Sequence, residues 1–221
     1  MNRSLAIRWF VALALVAVFA VPAWSQVATV DYYGYGWETG GIPPSNPGDM
    51  LLFTGVADFI DPVFGVDLGL AEVTFYCYDL TSTGQIDIGG TLMVGYVGGM
   101  LEIWVDPAKN ADWGTFPPNA TSPSTFMDGS LLFQGSFRNF TLFLDSAGGG
   151  AYEGSLDGIA GDALNDVCDD CAYTWGGAFT PQSGAQIPDG YDLQMDGVFE
   201  LDLAVPTEQT GWGSLKALYA N

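Results

Sequence analysis

The residues that most invite a chemical reading are Cys168-Asp169-Asp170-Cys171 and the lone Cys77. Two cysteines separated by two residues can exchange electrons or grip a metal. A catalytic thiol needs its pKa lowered by a helix N-terminus or a nearby cation. Here both intervening residues are anionic and Asp166 is close, so like charge makes the thiolate scarce. Zinc would need a fourth ligand beyond the three cysteines, and the chain has no histidine to supply it. In an oxidising compartment the default is a disulfide, and Cys77, Cys168 and Cys171 are its candidates. Cys168–Cys171 would close a tight loop. Cys77 with either partner would close a loop of roughly ninety residues and constrain the unfolded chain more. One thiol is left over in each case, as a free sulfur or an intermolecular bond.

Carboxylates are the other abundant reactive groups. Asp157, Asp162, Asp166, Asp169 and Asp170 crowd one small-residue stretch, and Asp106, Asn110 and Asp112 form a second group. Oxygen ligands on a turn suit calcium, although neither group has the EF-hand spacing. The plain alternative is a solvated acidic loop. Paired carboxylates could also hydrolyse a glycoside. Glu200-Leu201-Asp202 resembles the Glu-x-Asp-x-Glu strand of laminarinase-like jelly-roll hydrolases, but alanine stands at 204 where the third acid belongs. That departure removes the general acid which the resemblance would imply. The solvent face of an amphipathic strand accounts for Glu200 and Asp202 by alternation alone. No nucleophile elbow, P-loop or dinucleotide glycine pattern is present.

Composition excludes more than the motifs suggest. The 221 residues carry 26 acidic and 5 basic side chains and no histidine. Ser-His-Asp and Cys-His catalysis and histidine-ligated metal sites therefore cannot be built. The N-terminus reads as an export signal: Arg3 and Arg8, an apolar run from Trp9 to Val21, and small residues at Ala23 and Ser25, which place cleavage before Gln26. The apolar run is shorter than the roughly 20 residues that cross a bilayer, and no second such stretch follows. Cleavage leaves Lys109, Arg138 and Lys216 as three cations against 26 acids, a net −23. Three cations cannot neutralise a row of phosphates, so nucleic acid is not an expected partner, and anionic membranes repel the chain. The expected location is the periplasm or the extracellular space.

Five tryptophans follow the signal: Trp37, Trp104, Trp113, Trp175 and Trp212. Trp104 is out of phase with Leu101, Ile103 and Val105, so it points outward, and Trp113 sits in a proline-rich loop. Exposed rings of this kind stack on sugar faces, which makes Trp104 and Trp113 candidate ligand-binding residues. They also pack ordinary cores. Asn119-Ala120-Thr121 and Asn139-Phe140-Thr141 match the N-glycosylation acceptor.

The elements that must position these groups are strands. From Tyr191 to Leu203, Tyr191, Leu193, Met195, Phe199, Leu201 and Leu203 alternate with polar residues, with Gly197 in phase on the apolar side. Residues 72–80 read similarly, and 50–59, 91–97, 100–106, 130–137, 140–145, 152–156 and 173–179 are further candidate strands. Gly98-Gly99 predicts a hairpin turn, and Asp196-Gly197 a bulge or a split strand. Thirty glycines and almost no helical periodicity predict one all-β domain over 26–221, an antiparallel β-sandwich or jelly roll. Leu51-Leu52-Phe53-Thr54-Gly55 echoes Leu131-Leu132-Phe133-Gln134-Gly135, as a duplicated half-domain or chance similarity between strands would.

The resulting expectation is a secreted, acidic, non-enzymatic module with a structural, adhesive or ligand-binding role, steadied by calcium. The alternative is a carbohydrate-binding module or sugar-active enzyme. The partner classes are a carbohydrate, an extracellular protein, or a second copy joined through the odd cysteine or an open sheet edge.

Overall fold

Along Gln26–Glu38 every second side chain from Ala28 onward is buried: Ala28, Val30, Tyr32, Gly34, Gly36 and Glu38. That period of two makes the segment a strand with one dry face. It is β1, hidden at the sequence level by two glycines and a run of tyrosines. The computed structural model describes residues 26–167, 171–181 and 187–203. The further strands are β2 (Met50–Ile60), β3 (Glu72–Asp87), β4 (Leu92–Asp106), β5 (Ser130–Leu144), β6 (Gly150–Ala160), β7 (Ala172–Pro181) and β8 (Leu193–Leu203). Each pairs antiparallel with the next in sequence, and the eight close into a barrel. Among the described residues the only helical elements are a turn of α-helix at Asp162–Asp166 and two 3-10 turns. Residues 1–25, read from the sequence as an export signal, and Cys168, Asp169, Asp170 and Trp212 lie outside the described residues.

The all-β expectation holds, but two stacked sheets are not what forms. Sandwiches and barrels share the same alternation of buried and exposed residues. Strand length and register separate them, and these are tertiary properties. Strands of 10 to 16 residues, each hydrogen-bonded to both sequence neighbours, wrap one sheet onto itself. Closure also removes the open edge invoked for self-association.

Two glycine signals show how a long strand survives an apparent turn. Gly98-Gly99 does not end a hairpin, because β4 runs through it with φ of 70° and 93°. Leu80 pairs with Gly98 and Tyr78 with Met100, so the register against β3 is the same on both sides of the pair. Across the pair the buried face passes from the even residues Val94 and Tyr96 to the odd residues Leu101 and Ile103, and the strand is not interrupted. Asp196-Gly197 likewise stays within β8, whose register against β7 is unbroken from Asp202 to Leu193. A Cβ at 197 would overlap the Tyr152 hydroxyl and lie 2.8 Å from that of Tyr32 and 2.5 Å from the Gly176 carbonyl. Glycine stands there to make room inside the barrel.

The lumen is packed with rings. Trp175, 1 % exposed, has Tyr152 at 5.2 Å, Phe53 at 5.4 Å, Tyr32 at 5.6 Å, and Phe137 and Phe140 at 5.7 Å between centroids. An eight-stranded barrel is just wide enough for such side chains to fill. A second, smaller apolar layer lies outside the wall. The segment between β4 and β5 lays Trp113 and Phe126 over the outer face of β1–β3, where they meet Tyr33, Tyr35 and Tyr191. Thr74 Oγ1 donates to the Phe126 carbonyl at 2.9 Å, and Tyr191 donates to the Trp113 carbonyl at 2.7 Å.

Candidate functional site

Side chains that could meet a ligand are on the outer wall, because the lumen is occupied. The most ordered group centres on Glu102 of β4. Alternation turns Glu102 outward, yet it is only 7 % exposed. Burying a carboxylate is costly unless its oxygens find donors. Oε1 accepts from Tyr78 Oη at 2.9 Å and Gln134 Nε2 at 2.8 Å, and Oε2 accepts from Trp104 Nε1 at 3.2 Å. Register explains the convergence: Tyr76 of β3 and Gln134 of β5 are the cross-strand partners of Glu102, while Trp104 stands two residues along the same face.

Tyr76 and Tyr78 stack with centroids 4.8 Å apart and planes at 19°. Burial, reinforced by Asp79, pushes the Tyr76 phenol up to about 12; burial and the bond to Glu102 do the same for Tyr78. Both remain neutral hydroxyls across the physiological range. The result is a half-exposed platform of two tyrosines and a tryptophan, with Glu102 fixing the polar edges of Tyr78 and Trp104 and itself held by Gln134.

A second group lines a depression of about 350 Å³ over β5–β8. Asn139, Ser155, Thr174 and Glu200 form one row across four strands, with Glu153, Gly176 and Val198 beside it. Asn139 Nδ2 donates to Ser155 Oγ at 2.8 Å and Thr174 Oγ1 to Glu200 Oε2 at 3.2 Å. Glu153 and Glu200 stand two strands apart and two residues out of step, which sets their backbones roughly 12 Å apart. The ring of Trp175, which borders this depression, is stacked into the lumen, so no aromatic platform faces these two acids.

The sequence candidates fare unequally. Trp104 faces outward, as its phase requires, and belongs to the platform. Trp113 does not: its ring packs on Tyr33, Tyr35 and Phe126, and Nε1 donates to the Thr54 carbonyl at 3.3 Å. Glu200 and Asp202 point outward from β8, with Glu200 held by Thr174. Asp157 is taken by Arg138, whose Nε donates to Oδ1 at 2.6 Å; each holds the other in its charged form, raising the arginine pKa and lowering that of the aspartate. Asp162 is exposed at the start of the short helix. The side chain of Asp166, like Asp169 and Asp170, lies outside the described residues. Among the described residues no three His, Cys, Asp or Glu side chains converge as a metal cluster.

Cys77 is a free thiol, fully buried in the lumen, where burial pushes its pKa well up. The long-loop pairing through Cys77 is therefore not formed, because its inward phase on β3 seals it among core residues. The missed signals were Tyr76, Tyr78 and Gln134. Only the pairing of three strands brings them to Glu102.

No family model, curated protein sequence or solved structure matches this chain. Among the described residues no helix is long and apolar enough to cross a membrane.

Proposed function

We propose that this chain is an exported, non-enzymatic binding module that presents the outer wall of its barrel to a neutral, hydroxyl-rich ligand, with carbohydrate as the ligand class. The Glu102 platform carries this reading. A buried carboxylate that orients one tryptophan, one tyrosine and one amide leaves ring faces for the apolar side of a sugar and polar edges for its hydroxyls. The charge balance favours a neutral ligand, since a chain with 26 acidic and 5 basic residues repels anions. Export rests on the N-terminal pattern of Arg3, Arg8, the apolar run and the small residues before Gln26.

The filled lumen supports a surface site over an enclosed reaction chamber. Exposed Asp31, Asp58, Glu153, Asp157 and Glu200 give the wall the polarity of a surface facing water, the reverse of a membrane barrel's apolar outer band. The redox compartment of an exported chain supports a Cys168–Cys171 disulfide.

A glycan array followed by calorimetry on neutral oligosaccharides tests the reading. Binding should be lost in Trp104→Ala and Glu102→Ala and kept in Glu200→Gln. Blank arrays with folded protein, or binding indifferent to Trp104, would overturn it.

A further inference from the structure

We propose that the end of the β3–β4 ladder, where Glu72 faces Asp106 beneath the turn 107–111, is a calcium site. The two acids are direct cross-strand partners on the outer face. Like charges directly opposite each other on a sheet destabilise it. Asp106 is only 4 % exposed, so water screens this pair poorly.

Each carboxylate commits one oxygen to the turn. Ala108 N donates to Asp106 Oδ1 and Ala111 N to Glu72 Oε1, both at 2.8 Å. The other oxygen of Asp106, Oδ2, is buried and has no hydrogen-bond partner. A buried charged oxygen without a partner is costly, and a cation beside it removes that cost.

Lys109, on the same turn, does not serve. Lys109 Nζ donates to the carbonyls of Leu68 at 2.7 Å and Gly69 at 2.9 Å, turned onto the β2–β3 connection. Among the described residues the one ion pair is Arg138 with Asp157, on a different part of the wall. Asn110 Nδ2, on the same turn, donates to Asp128 Oδ2 at 3.1 Å, so neither of those side chains is the partner of Asp106 Oδ2.

The donor set selects the ion. Carboxylate oxygen alone suits a hard cation, and zinc would want nitrogen or sulfur. Calcium accepts six to eight oxygens in flexible geometry, water among them, whereas magnesium demands a near-ideal octahedron. Two carboxylates, with water completing the shell, place the affinity in the range of extracellular modules, about 0.1–1 mM.

The test uses the purified exported chain at fixed ionic strength. Calcium at about 10 mM, against EDTA, should raise Tm by about 3–10 °C. Terbium luminescence should be sensitised by Trp104, two residues from Asp106 on the same face, and be displaced by calcium. Glu72→Gln and Asp106→Asn should each abolish both responses, while Asp157→Asn keeps them. In EDTA, Glu72→Gln should melt above the parent, because the repulsion is gone. The proposal is overturned by an unchanged Tm in calcium, by an equal rise in sodium chloride, or by a response that persists in both variants.

Discussion

Tyr32 on β1 and Tyr152 on β6 share a hydroxyl-to-hydroxyl hydrogen bond in the middle of the barrel, 120 residues apart in sequence. Both hydroxyls are buried, and both pKa values are raised, chiefly by burial, so both stay protonated. Gly197 of β8 is the gap that admits them. Gly197→Ala should cost about 3 kcal/mol or more, because the new methyl meets backbone as well as a hydroxyl. Tyr152→Phe should cost about 1–2 kcal/mol by leaving the Tyr32 hydroxyl unpaired. Urea unfolding gives both values. A Gly197→Ala protein as stable as the parent would show that the strands can move apart there.

A buried pair of a phenol and a carboxylate predicts a pH dependence. Glu38 faces inward at one end of the barrel, and its Oε2 accepts from Tyr96 Oη at 2.5 Å. Burial raises its pKa above the ordinary 4.5; Tyr96 and Ser45 oppose this, and Asp49 and Asp192 add to it. A group whose folded pKa is raised stabilises the fold below its unfolded value and loses that contribution as pH climbs through the folded one. Stability should therefore fall as pH rises from about 4.5 through the raised value. Glu38→Gln should flatten this part of the profile and be the more stable form at neutral pH. Chemical denaturation of both proteins across pH 4–8 checks it, and parallel profiles would reject it.

The two tryptophans that look alike in sequence should separate cleanly in a melt. Trp113→Ala removes a ring packed on three others and opens the layer over β1–β3, at a cost of about 3 kcal/mol. Trp104→Ala removes a half-exposed ring and one bond to Glu102, at a cost of about 1 kcal/mol. Equal losses in thermal melts would contradict the assignment of one to structure and the other to the platform.

Thiol chemistry follows from the burial of Cys77. The native protein should not react with iodoacetamide, since the thiolate is suppressed. In denaturant one thiol should appear, at Cys77, with Cys168 and Cys171 released only by reductant. Peptide mapping reads each position, and three labelled cysteines without reductant would remove the proposed disulfide.

Alternation is legible in the chain alone, and with it the strands. Residues 72–80 and the Tyr191–Leu203 run could be read because apolar and polar side chains alternate, and 50–59 and 173–179 because they are short apolar runs bounded by turn residues, properties each segment carries by itself. Trp104 could be turned outward on the same phase. Absence of histidine and scarcity of cations likewise need no fold to exclude whole chemistries. Tertiary structure decided closure, because the choice between one barrel and two sheets depends on how the first and last strands meet. It decided that Gly98-Gly99 lies within a strand and Gly197 shelters two hydroxyls, since a glycine's role depends on what lies across from it. It also assembled Tyr78, Glu102 and Gln134 from three strands, and set Glu72 against Asp106. Such groupings are made by register, and register is fixed only when neighbouring strands pair.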